Sequence, residues 1–88
     1  MEANAVRINT RDNVAVAVMD IKCGDPVTGI PGLALRARED IKRNHKVALT
    51  EIRDNAPVIK YGETIGLASG NIQEGEWVHT HNLKTVGA

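Results

Sequence analysis

Asp20-Ile21-Lys22-Cys23-Gly24-Asp25-Pro26-Val27 is the stretch on which the fold turns, because its pattern recurs. Asp40-Ile41-Lys42-Arg43-Asn44-His45-Lys46-Val47, Glu51-Ile52-Arg53-Asp54-Asn55-Ala56-Pro57-Val58 and Asn71-Ile72-Gln73-Glu74-Gly75-Glu76-Trp77-Val78 carry it again. In each copy an acid or amide precedes an Ile, a Gly or Asn follows three residues later, and a Val closes the unit after three more. Gly and Asn reach the left-handed backbone region at least cost. Each copy therefore reads as strand end, tight turn and strand start, with the Ile and Val gripping the core on either side. The Ile positions are separated by 20, 11 and 20 residues, so residues 20–47 resemble residues 51–78 at an offset of 31. That spacing predicts two related β-hairpin halves folded over one another.

The flanking runs agree. Asn13 to Met19 is β-branched at every second position, which puts Val14, Val16 and Val18 on one expected face. Further strand-like runs are Leu33 to Arg38, His45 to Leu49, Pro57 to Tyr61, Thr64 to Ala68 and Trp77 to His81, with Gly, Pro, Asn and Asp in the gaps. The best helical window, Arg36 to Lys46, is broken by Asn44 and places only Ile41 and Val47 usefully. The expected class is all-β, with little or no helix. Residues 24–32, with Pro26, Gly29, Pro31 and Gly32, read as a loop, and Asp12 with Asn13 as a turn ahead of the first strand.

Composition bounds the function. Eighty-eight residues make one small domain, 1–88, with room for a modest core. Apolar residues at 42% and charged residues at 25% are those of a globular chain. Eleven basic residues balance eleven acidic ones, which removes the basic footprint of a nucleic-acid binder. No apolar run approaches the roughly 20 residues that span a bilayer. The opening Met1-Glu2-Ala3-Asn4 has neither the basic start nor the apolar stretch of a signal peptide. With a single cysteine, Cys23, and no internal disulfide, the expected compartment is reducing and cytoplasmic. Ser-His-Asp, CxxC and glycine-rich phosphate motifs are all missing.

The second half carries a resemblance. His45-Lys46-Val47-Ala48-Leu49, then Val58-Ile59-Lys60-Tyr61-Gly62-Glu63-Thr64-Ile65-Gly66, then Gly75-Glu76-Trp77-Val78-His79-Thr80-His81-Asn82-Leu83 resemble, in this order, the SAF domain of the altronate/galactarate dehydratases. The same domain also occurs as the small subunit of sulfolactate sulfo-lyase. Asp12-Asn13-Val14-Ala15-Val16-Ala17 fits the family's opening. The resemblance implies a β-clip fold of bent, folded-over hairpins. It also implies a larger partner, either a C-terminal segment or a separate subunit, that carries most of the catalysis, with self-association left open. The implied reaction is loss of water from a sugar acid, D-altronate ahead of galactarate or sulfolactate, giving for altronate 2-dehydro-3-deoxy-D-gluconate. Carbon acids beside a carboxylate are weak, so a divalent metal, Fe(2+) or Mn(2+) by family resemblance, is the expected electrophile.

Several residues stand out as site candidates. His79 and His81, two apart on an expected strand, point to one face and are candidate metal ligands, completed by groups from the larger partner. The bland reading makes them a polar strand edge. His45 is a candidate catalytic base or substrate contact, against a plain turn residue. Lys46, Lys60 and Tyr61 are candidate substrate-binding groups, against solvated lysines and a packed ring. Trp77 and Asn82 are candidate interface residues: with Val78 in the core, Trp77, His79 and His81 share an outward docking face. A second class of function, a carbohydrate-binding or docking module without chemistry, would show a flat apolar face and no converging histidines.

Overall fold

The computed structural model describes residues 3–85. Nine short strands and no helix make up those residues: β1 Ala5–Val6, β2 Val14–Ala17, β3 Pro26–Val27, β4 Leu35–Arg36, β5 Lys46–Ala48, β6 Pro57–Lys60, β7 Glu63–Ala68, β8 Trp77–Val78 and β9 Leu83–Lys84. They form a four-stranded sheet β1-β2-β5-β8, a pair β3-β4 and a three-stranded sheet β6-β7-β9. All the pairings are antiparallel.

Register shows how the repeat builds this. Val14 faces Ala48, Ala15 faces Val47, Ile21 faces Ile41, and Val27 faces Leu35. These partners keep one register, so residues 14–48 are a single long hairpin that passes from the central sheet into β3-β4. A second hairpin repeats the design: Lys46 faces Val78, Val47 faces Trp77, Ile52 faces Ile72, and Pro57 faces Leu67. The two share β5. In both, the Ile pair is an isolated bridge between two stretches of ladder, and the two hairpins are the related halves expected from the spacing.

The turn residues behave as their chemistry requires. Asn44 and Asn55 have φ of 72° and 66°, and Gly24 and Gly75 have 93° and 87°. Gly24 N–H donates to Ala37 O and Asn55 N–H to Ala68 O, while Asn44 N–H donates to Ala17 O and Gly75 N–H to Ala48 O, all at 2.8 Å. The residue before each Ile reaches across the Ile pair to the opposite turn. Asp40 Oδ1 accepts from Cys23 N–H at 2.8 Å, Asp20 Oδ1 from Arg43 N–H at 2.9 Å, and Asn71 Oδ1 from Asp54 N–H at 2.9 Å. Glu51 is the exception and makes an exposed 3.6 Å ion pair with Arg53. A short polar side chain spans that gap, whereas Glu is one methylene too long.

Two cores flank the central sheet. Ala17, Ile21, Val27, Ala37, Ile41 and Val47 pack in the first. Ala48, Ile52, Val58, Ala68, Ile72 and Val78, their counterparts in the second hairpin, pack in the other. Alternation along the shared strands explains the split, since Ala15 and Val47 face one core while Val14 and Ala48 face the other. This corrects two expectations. Val14 is buried but Val18, beyond the end of β2, is 40% exposed, and Ala15 and Ala17 are buried as well, because β2 is covered on both faces. Residues 24–32 are not wholly loop either, since Pro26 and Val27 form β3 against Arg36 and Leu35.

Candidate functional site

A third correction concerns the strand carrying the two histidines. β8 ends at Val78, and His79-Thr80-His81-Asn82 is a turn closed by Asn82 N–H donating to His79 O at 3.1 Å. The Asn82 side chain staples it: Oδ1 accepts from His79 N–H at 2.9 Å and Nδ2 donates to Trp77 O at 2.8 Å. The alternation argument therefore does not bring the histidines together. Trp77 does. Its ring stacks on His79 at 5.3 Å between centroids and 13° between planes, and His81 sits tilted at 4.8 Å.

His45 joins them through register. Val47 faces Trp77, so His45, two residues earlier, falls beside His79 on the same side of the sheet. Their rings lie 4.7 Å apart, and Trp77 Nε1 donates to His45 Nδ1 at 2.9 Å. Three histidines separated by up to 36 residues thus surround one indole. Val78 is fully buried, and Trp77 leans half-buried against the first core. This is the arrangement expected when Val78 is inside. Glu39, which the sequence did not single out, accepts from Trp77 N–H at 3.0 Å and fixes the ring's base.

The lysine group assembles next to it. Lys60 Nζ lies 4.8 Å over the Tyr61 ring. Burial first, then the Lys60 charge, hold the Lys46 ammonium below the usual lysine range, with Tyr61 opposing. For His79, lost hydration beside its stacked neighbours lowers the pKa first, followed by the charges of His45, Lys46 and His81. None of the charges acting on these two is a carboxylate. The charges that lower these two groups come from neighbouring cations, and such surroundings attract anions.

Asp12 anchors that face from inside. It is 4% exposed, and its carboxylate accepts from Asn9, Tyr61 and Gly62 N–H at 3.0, 3.1 and 2.8 Å. Tyr61 and Gly62 both lie at positive φ, 60° and 73°, in the two-residue turn between β6 and β7. Asn13 adds a bond to Ile59 N–H at 2.7 Å and one to Pro57 O at 2.9 Å. The Asp-Asn pair ahead of an apolar strand was the available signal, and it read only as a local turn.

Metal ligation needs three or more converging donors. Among the described residues no group of three His, Cys, Asp or Glu side chains is disposed to hold an ion. His45 Nδ1 is already occupied by the indole.

The model for the altronate/galactarate dehydratase SAF domain matches residues 3–86. The chain belongs to that family. It is 42% identical over 80 residues to altronate dehydratase of Bacillus subtilis and 44% identical over 80 residues to altronate dehydratase of Escherichia coli, covering 91% of this chain each time. It spans only 16% of the length of either relative. It is also 34% identical to the (2R)-sulfolactate sulfo-lyase subunit alpha of Chromohalobacter salexigens, over 84% of this chain and 85% of that subunit. The chain thus corresponds to a small part of the two dehydratases and to most of the sulfo-lyase subunit. No helix among the described residues is long and apolar enough to cross a membrane.

Proposed function

We propose that this SAF domain supplies one face of the active site of a sugar-acid dehydratase, with a larger segment or subunit carrying most of the catalysis. The carrying observation is the convergence of His45, His79 and His81 around Trp77, next to the Lys46, Lys60 and Tyr61 group. Converging histidines favour this reading over a docking module without chemistry.

The preferred substrate is D-altronate, in line with the relatives' names. Dehydration removes the proton beside the carboxylate and expels the hydroxyl on the next carbon as water. The resulting enol becomes 2-dehydro-3-deoxy-D-gluconate. Lys46 and Lys60 offer charge to the substrate carboxylate, and the Tyr61 hydroxyl and the histidine N–H groups offer hydrogen bonds to its oxygens. The Trp77 ring offers an apolar surface beside these groups. A divalent ion such as Fe(2+) or Mn(2+) would supply electrophilic help at the carboxylate, with its principal ligands in the larger segment. A second reading, the small subunit of a sulfolactate sulfo-lyase, draws on the near full-length match to subunit alpha. Its sulfonated hydroxy acid is anionic too, so the same face would serve.

The test is an anaerobic assay with iron(II) on altronate, galactarate and sulfolactate. It compares this chain, the large partner and their combination, each also with His79→Ala or His81→Ala. Turnover only in the combination, lost on either change, is the expected result. Full activity from the large partner alone would reduce the domain to an assembly role.

A further inference from the structure

We propose that Trp77 holds His45 in the tautomer protonated on Nε2, so that His45 meets its ligand as a hydrogen-bond donor and not as a base. An indole N–H can only donate. At 2.9 Å from Trp77 Nε1, His45 Nδ1 must therefore present its lone pair, and the ring proton resides on Nε2. The 40° tilt between the rings, at 5.7 Å, brings edge to edge and not face to face.

Both partners are held by their backbones. His45 N–H donates to Lys42 O at 3.0 Å and its carbonyl accepts from Ala17 N–H at 2.9 Å. Trp77 is fixed through Glu39 and Asn82. His45 Nε2 makes no hydrogen bond among the described residues, and the ring is half-buried beside His79. A proton acceptor at Nε2 would need the lone pair that this tautomer lacks, and so would a metal ligand. What remains is a neutral N–H donor in cationic surroundings, which suits a carboxylate oxygen or the oxyanion that develops from it. Trp77 is then a positioning residue. The donor's role in turnover rests on the dehydratase reading, but the tautomer does not.

Nitrogen NMR of the histidine-labelled chain at about pH 8, above ordinary histidine titration, reads the tautomer directly. Expected are an unprotonated Nδ1 and a protonated Nε2 for His45, with the Nδ1 signal losing its hydrogen-bond shift and the Nδ1-protonated minority rising in Trp77→Phe, which keeps a ring but removes the donor. Acetate, as a carboxylate probe, should shift His45 Nε2 more than Nδ1. A proton on Nδ1 in the unaltered chain overturns the proposal without recourse to any variant. So does an Nδ1 signal and tautomer ratio unchanged in a folded Trp77→Phe, or an Nε2 signal that acetate leaves in place. A dehydratase assay that fails while these signals appear would sink the functional reading and leave the tautomer standing.

Discussion

Asp12 is the one buried charged side chain among the described residues, and its three N–H partners explain why burial is tolerated. Asp12→Ala would orphan those donors and release a Tyr61 backbone held in a region that L-residues avoid. The expected loss is about 2–4 kcal/mol, seen as a lower urea midpoint, with Asp12→Asn recovering part of it. An unchanged midpoint would mean that water replaces the carboxylate freely. His79 has a different signature. Its folded pKa lies below the unfolded value of 6.5. Above that value both states are neutral at this ring. As pH falls through it the unfolded chain takes up the proton first, so stability drops. A bound anion opposes the neighbouring charges and raises the folded pKa. Acetate should therefore move the His79 ring-proton titration upward, and should bind more tightly as pH falls below 6.5. A titration curve that acetate does not move would remove the anion site.

At the scale of turns and strands, the four repeat units are not equally tolerant. A Cβ added at Gly24 meets nothing within 4 Å, so Gly24→Ala adds only backbone strain, about 1–2 kcal/mol. The same change at Gly75 drives the methyl into the Arg36 carbonyl, in addition to the strain. Gly75→Ala should cost about 3 kcal/mol or more. Chemical denaturation of the two variants checks the order, and equal losses would contradict the close approach. Asn at the other two units shows that the φ requirement is shared. The steric one belongs to Gly75, where the second hairpin turns under Arg36 and Arg38.

For the whole molecule, the two cores share β5 and should not melt apart. Ile41→Ala and Ile72→Ala, one in each core, should each cost about 2–5 kcal/mol. That is a large part of the roughly 5–15 kcal/mol typical of a domain. In both variants Trp77 fluorescence, which reports on the first core, should unfold at the same urea concentration as the circular dichroism. Separate midpoints in Ile72→Ala would show that the halves are independent.

The repeat made much of this legible before any coordinates. An Ile, a left-handed turn and a Val are local requirements of backbone sterics and burial, so the four units, the two hairpins and the all-β class could be read from spacing. The family blocks likewise picked out His45, Lys46, Lys60, Tyr61, Trp77, His79, His81 and Asn82. What escaped was everything set by pairing across the sheet. The strand assigned to His79 and His81 ends at Val78, because the Asn82 side chain closes a turn there. The burial of Ala15 and Ala17 was not legible because period-2 patterning cannot show that both sides of a strand are covered. Asp12 read as a turn residue because its partners Tyr61 and Gly62 lie 49 and 50 residues away. The hydrogen bond from Trp77 to His45 crosses 32 residues. Local sterics and hydrophobic spacing are written along the chain. Strand register, which sets which rings meet and which nitrogen keeps its proton, exists only once the hairpins close.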